Sequence, residues 1–346
     1  MKVDYIIVGA GLAGTLFCDL LRKHNKSFVV FDDTSQRSSV VAGGLYNPVV
    51  LKRFTPVWKS KEQLDLALPV YKELEELLQV KLDYKIKVLR LFASVEEQNN
   101  WFSASDKPGL SEFLSTEIIN LKNDYFESPF GFGQVNSTGR IDTGLLIDRF
   151  KEYLVQKQAL RAEPLQHDLL AVKENKVIYK DVEAQNIVFS EGFGLKQNLF
   201  FNYLPLNGTK GELLTIHAPD LKIDFVLKSN VFLIPQEEDH YLVGATYNWN
   251  DKTNEPSEEG RHELLSKLKS LLRCEFKIVD QLAGIRPTVI DRRPLVGRHN
   301  DYSNIYVLNG LGTRGVMIAP YVANQLFNFI EKQIGLNPEI NINRFD

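Results

Sequence analysis

Glycines spaced for phosphate binding open the chain: GAGLAG sets Gly9, Gly11 and Gly14 in a GxGxxG pattern. Each glycine has a separate physical task. Gly9 permits a tight turn, Gly11 lets the backbone approach a pyrophosphate, and Gly14 lets a helix pack closely on the preceding strand. The phosphates would lie near Leu12 and Ala13, where the free N–H groups and dipole of a helix N-terminus attract anions. Asp32 and Asp33 follow about 20 residues later, at the end of an apolar run, where a carboxylate accepts hydrogen bonds from ribose hydroxyls. A second glycine loop, LNGLGTRGVMIAP at 308–320, reads as a strand tip, a loop and a helix start.

The elements that must position these loops are legible around them. Val3 to Val8 is a nearly continuous apolar run, as expected of a parallel strand buried on both faces. Leu12 to Lys23 has helical spacing, and Phe28 to Phe31 is a second strand. Strand, loop, helix, strand and acid in that order form a dinucleotide-binding unit, which by itself does not separate NAD from FAD. The connection that follows, SQRSSVVAGGLYNPVVLKRF at 35–54, concentrates small residues at Ser39, Ala42, Gly43 and Gly44 before Leu45. Such residues would let the backbone lie close to a flat ring; a flexible surface loop is the other reading.

Farther along, residues 59–81 predict a helix interrupted near Pro69. Strand-like pieces, YKIKVLRLFAS and GFGQVNSTGRID, flank a polar stretch, and residues 143–158 predict an amphipathic helix. The run AQNIVFSEGFG predicts another strand, residues 205–249 are strand-rich, and 255–273 predict a charged amphipathic helix. An antiparallel sheet inserted twice into a doubly wound α/β unit accounts for this alternation.

Composition bounds the function. A chain of 346 residues suits two domains, and 44% hydrophobic with 25% charged residues is ordinary for a globular protein. No apolar run is long enough to span a bilayer, so no membrane partner is expected. A formal charge of -3 leaves no global excess of cations, so nucleic acid is not the default partner. Cys18 and Cys274 are too few for a disulfide framework and read as buried thiols of a reducing compartment. Folded structure starts at Val3 with no leader before it, which makes a cytoplasmic protein the plain expectation. The six histidines show no metal-ligand spacing, and no metal is expected.

Three segments carry a family resemblance: VDYIIVGAGLAG, SSVVAGGLYNP, and GIRPTVIDRRPLVGRH with LNGLGTRGVMIAP. With them the chain resembles the D-amino-acid oxidase (DAO) superfamily of FAD-dependent amine oxidoreductases. More narrowly, it resembles glycine oxidase and the FAD module of the bifunctional tRNA methylaminomethyl-thiouridine enzyme.

The resemblance implies a Rossmann-like FAD-binding domain (1–82, 140–204, 280–346) with an inserted antiparallel-sheet α+β substrate domain (83–139, 205–279). In that arrangement the first loop holds the pyrophosphate and Gly192 marks the strand returning to the cofactor. The second loop, with Gly310, Gly312, Thr313, Arg314, Gly315 and Val316, passes beside the flavin. Arg286 in GIRP stands where the family's carboxylate-binding arginine is found, and a guanidinium can hold a carboxylate through paired donors. A structural salt bridge is its alternative role. Arg314 matches a position close to the flavin, where it would contact the substrate or the ring, an exposed loop arginine being the alternative; Tyr247 would project from the substrate sheet to orient an amine or pack across strands.

Phe232 departs from the family, which carries a tyrosine before L-x-P, and this puts amino-acid specificity in question. The flavin-linking cysteine of the sarcosine-oxidase branch is missing near RPTVID, so FAD is expected to bind non-covalently. The expected activity is oxidation of the C–N bond of a small amine or amino acid by hydride transfer, with oxygen or another acceptor taking the electrons. Modification of a tRNA wobble uridine and a non-catalytic flavoprotein subunit are the alternatives. The oligomeric state is left open.

Overall fold

Short β-branched runs buried on both faces build the first sheet. In this computed structural model, which describes residues 1–345, Lys2–Val8 pairs in parallel with Phe28–Phe31 and with Val182–Phe189. Leu160–Arg161 extends the sheet beyond Phe28–Phe31, and Ile305–Asn309 runs parallel to Val182–Phe189. Antiparallel strands at Ala171–Lys173, Lys176–Tyr179 and Leu295–Arg298 complete eight strands. The helices Leu12–Lys23 and Gly315–Lys332 pack together, and Ser60–Leu78 packs against the second of them. Both glycine loops therefore open at the same end of one sheet, each feeding a helix N-terminus.

Two prolines inside helices show how the chain accommodates a missing N–H. The Ser60–Leu78 helix runs through Pro69 without the expected interruption. Pro69 lies on the exposed side of that helix, where water can satisfy the carbonyl of Asp65 that loses its partner. In Gly315–Lys332, Pro320 orphans the carbonyl of Val316, and that oxygen accepts the Tyr71 hydroxyl at 2.8 Å instead. Tyr71 is buried, so the replacement bond matters.

The second sheet also has eight strands, in the order Lys277–Val289, Leu206–His217, His240–Gly244, Phe232–Pro235, Val226–Lys228, Val88–Leu91, Phe132–Val135 and Leu114–Ile119. All pairings are antiparallel except Val226–Lys228 with Val88–Leu91. The Glu258–Lys269 helix, started by Ser257 Oγ accepting the Gly260 N–H at 3.0 Å, covers one face through Leu264 and Leu268. The opposite face, with Val88, Val226 and Ile234, joins the core that surrounds Leu12–Lys23 and Gly315–Lys332.

Two further findings depart from the sequence expectations. The polar stretch between the strand-like pieces contains a helix, Val95–Ser105. The division expected at residue 280 falls inside Lys277–Val289, which pairs along its length with Leu206–His217. Arg286 therefore belongs to a strand of the second sheet. Among the described residues no helix is long and apolar enough to cross a membrane.

Candidate functional site

The first loop forms one wall of a cleft. Gly9 adopts φ +95°, and a Cβ there would stand 2.5 Å from the Ser190 carbonyl oxygen. A Cβ on Gly14 would overlap the Gly9 carbonyl, so the helix can approach the turn only because that atom is missing. The Ala10 N–H donates to Asp32 Oδ1 at 2.9 Å, and Lys151 Nζ lies 2.6 Å from Asp32 Oδ2. The Asp32 carboxylate is thus fixed in place by the protein itself. The Leu12 N–H donates to Ser39 Oγ at 3.1 Å, which ties the second segment of the resemblance to the first.

A cavity open to solvent follows these groups, lined by Gly9, Gly11, Leu12, Ala13, Asp32, Asp33, Ser39 and Gly192. His167 and Glu191, neither of them singled out in the sequence, also stand in its wall. His167 Nε2 lies 2.9 Å from Glu191 Oε1, and Asn198 Nδ2 donates to Glu191 Oε2 at 2.6 Å. Glu191 was within reach of the sequence as the neighbour of Gly192; His167, on a one-turn helix, carries no local signal.

A second cavity shares Leu12, Ser38, Ser39, Pro287 and Leu311 with the first, so the two form one continuous cleft. Gly43, Gly44 and Leu45 line it from one side; Gly312, Thr313, Gly315 and Val316 line it from another. Open space lies beside Gly312, where a Cβ would meet no heavy atom within 4 Å. Its apolar walls include Val41, Leu213, Phe232 and Ile234.

Arg286 is the charged residue of this cavity, and no carboxylate lines it among the described residues. Strand register explains its pose. Thr209 faces Arg286 and Gly211 lies two residues on along the same face, so that glycine leaves a shelf on which the guanidinium lies. A Cβ on Gly211 would overlap Nη1, Cζ and Nη2. Nη1 donates to the Thr246 carbonyl at 3.2 Å, and Cζ sits 4.6 Å from the centre of the Tyr247 ring. Burial draws the guanidinium below its ordinary value, against the effect of Tyr247, but an arginine remains a cation. No ion pair engages Arg286 or Arg314 among the described residues.

Three predicted residues lie outside both cavity walls. Gly14 packs helix on turn, as described. Gly310, at φ +75°, turns the chain where a Cβ would stand 2.6 Å from Val289 Cγ2. Arg314 caps the Gly315–Lys332 helix through its carbonyl, which accepts from Met317 and Ile318 at 3.1 Å each. Its side chain is partly buried near Tyr247 and Arg292, and burial lowers its guanidinium from the ordinary value. Tyr247 lines the cavity, but it follows the end of His240–Gly244. It therefore hangs in a loop, 58% exposed, instead of projecting from the sheet.

Residues 4–328 match the DAO family, described as FAD dependent oxidoreductase. Glycine oxidase of Bacillus subtilis (strain 168) is 23% identical over 99% of this chain and 95% of its own length. A tRNA 5-methylaminomethyl-2-thiouridine biosynthesis bifunctional protein of Legionella pneumophila (strain Corby) is 22% identical over 96% of this chain, which spans 55% of that protein. Among solved structures, iminodiacetate oxidase from Chelativorans sp. BNC1 superposes with a TM-score of 0.80 at 16% identity, covering 96% of this chain and 97% of that one. Glycine oxidase from Bacillus cereus ATCC 14579 does so with a TM-score of 0.79 at 18% identity, covering 96% of each.

Proposed function

The chain belongs to the DAO family of FAD-dependent oxidoreductases, and from that premise we propose that it oxidises the C–N bond of a small amino acid or N-substituted glycine whose carboxylate is held by Arg286. The observation that carries this reading is a guanidinium on a glycine shelf, without an ion-pair partner and in a cavity lined by no acidic side chain among the described residues.

The cleft suits FAD. Its backbone walls at Gly11 and Gly312 leave room where side chains would intrude, and Ser190 keeps a buried Oγ without a partner beside the first cavity. The first sheet with its helices would bind the cofactor: Gly9 to Ala13 would hold the pyrophosphate, and Asp32 the ribose. Residues 43–45 and 312–316 would flank the ring, and the second sheet would supply the substrate wall. Neither cysteine lines either cavity, which supports non-covalent binding. When bound, FAD supplies the two-electron acceptor for a hydride.

The protein's own groups do the rest. Arg286 pairs with the carboxylate and thereby orients the neighbouring C–H. Its charge, with the N-terminus of Gly315–Lys332, makes the cavity positive, which favours the neutral amine that can lose hydride. The walls at Val41, Leu213, Phe232 and Ile234 exclude water. The substrate loses a hydride from carbon and a proton from nitrogen to give an imine, which water hydrolyses; oxygen or another acceptor then receives the two electrons.

Arg286→Ala tests the clamp. The expected outcome is a loss of about 10²-fold or more in kcat/KM for sarcosine, since charge-assisted bonds contribute about 1.5–3 kcal/mol each. Unchanged turnover of every amine tried would refute it. A second reading, an amine carried on tRNA, draws support from Tyr247 and Trp249, 58% and 53% exposed in the same loop at the cavity. Salt-sensitive retardation of tRNA, with no oxidation of free amino acids, would favour that reading.

A further inference from the structure

The strand Leu206–His217 carries the shelf for Arg286 on one face and an unusual set of charges on the other. Side chains alternate along a strand, so Lys210 and Glu212 point away from the side on which Gly211 seats the guanidinium. Both are buried, at 1% and 2% exposure. A lysine that deep is costly unless paired.

Its partners all concern one loop. Lys210 Nζ lies 2.5 Å from Asp251 Oδ2, 3.4 Å from Thr253 Oγ1 and 3.7 Å from Glu212 Oε1. Lys210 and Asn248 exchange backbone hydrogen bonds of 2.9 and 3.0 Å. Glu212 receives the Ser257 N–H at 2.9 Å and the Ser257 hydroxyl at 2.6 Å, while its own N–H donates to Thr246 Oγ1 at 2.9 Å. The 245–257 loop is therefore fastened at both ends to the back of the strand. Asp251 is held below the usual carboxylate range, at about 2, first by its bond from Lys210.

The same loop supplies both contacts that orient Arg286, the Thr246 carbonyl and the Tyr247 ring. We propose that Lys210 is a positioning residue that, through Asp251, locks the 245–257 loop and so holds Arg286 in its carboxylate-binding pose. The proposal rests on the reading of Arg286 given above. It assigns a role to a buried lysine that lines neither cavity.

The test uses the flavin-loaded full chain. Acetate serves as a carboxylate probe, read by its perturbation of the flavin absorbance, and sarcosine as the amine. Lys210→Met is expected to raise the acetate Kd and the sarcosine KM about tenfold, with flavin content unchanged and kcat much less affected. Asp251→Asn, altering a residue 30% exposed, is expected to move both constants in the same direction, and it reads the proposal if Lys210→Met fails to fold. The double variant is expected to recover part of the Lys210→Met loss, because it removes the stranded carboxylate.

Wild-type acetate affinity in folded Asp251→Asn or Lys210→Met would overturn the proposal, as would activity falling only in proportion to flavin content. Arg286→Ala separates the two failures. If it binds acetate as the wild type does, the clamp itself is wrong; if it loses acetate while Asp251→Asn does not, only the role of Lys210 is wrong.

Discussion

Replacing Gly211 with alanine separates stability from function, because the new methyl group would occupy the seat of the Arg286 guanidinium and little else. The overlapping atoms are the far end of a flexible side chain, so the arginine can swing away and the fold should tolerate the change. Gly-to-Ala substitution at an unstrained strand position even favours the folded state by about 0.4–1 kcal/mol through the unfolded chain. Activity should not survive as well. A displaced guanidinium loses the Thr246 carbonyl at 3.2 Å and the Tyr247 ring at 4.6 Å, and with them its aim into the cavity. Two charge-assisted bonds to a carboxylate at about 1.5–3 kcal/mol each put the loss near 3 kcal/mol or more, roughly 10²-fold in kcat/KM. The assay is steady-state oxidation of sarcosine, with flavin content and melting temperature measured on the same preparation. Wild-type kcat/KM in a folded, flavin-loaded Gly211→Ala variant would show that the shelf does not position the arginine and would refute the reasoning.

Gly14→Ala sets a methyl group against the Gly9 carbonyl, a backbone atom that cannot step aside, so the purified variant should carry less than half of the wild-type flavin per chain by absorbance. Lys228 has no ion-pair partner among the described residues, and burial, with Arg90 and Lys267 nearby, draws its ammonium down to about 8. Because its folded value lies below the unfolded 10.5, the unfolded chain binds more protons between the two, and stability rises as pH passes from about 8 to 10.5. Lys228→Met removes that penalty: it should stabilise the protein at pH 7 by up to about 3 kcal/mol, and thermal melts should show the advantage shrinking by pH 10.

Much of this arrangement can be read locally. The Leu12–Lys23 and Phe28–Phe31 spans follow directly from apolar periodicity and the glycines between them, because a buried strand and its helix leave a pattern in consecutive residues. Val95–Ser105 was also within reach: Ser94 and Glu97 have capping-box spacing, and the Ser94 hydroxyl does accept the Glu97 N–H. Few buried side chains mark it, so its period is faint. Ser38–Val41 is too short for any period, yet it seats Ser39 beneath the Leu12 N–H.

Tertiary pairings were not legible in this way. Arg286 could be named from its motif, but its pose depends on Gly211, on the neighbouring strand and more than seventy positions away in the chain. The Lys210 to Asp251 pair, the Glu191 to His167 pair and the Tyr71 hydroxyl on Val316 are equally non-local. Pro69 shows the reverse case, a strong local signal overridden because the Asp65 carbonyl it leaves unpaired lies on the exposed side of the helix.

The central claim, that a flavin in this cleft oxidises a carboxylate-bearing amine oriented by Arg286, is tested most directly by the visible spectrum of the purified protein without oxygen. Glycine, sarcosine, D-amino acids and L-proline would be added in turn to the wild type and to Arg286→Ala. At least one of them should bleach the flavin bands of the wild type, and the variant should respond at least about 10²-fold more slowly. A yellow protein that none of them bleaches, or a variant that bleaches as fast as the wild type, would contradict it.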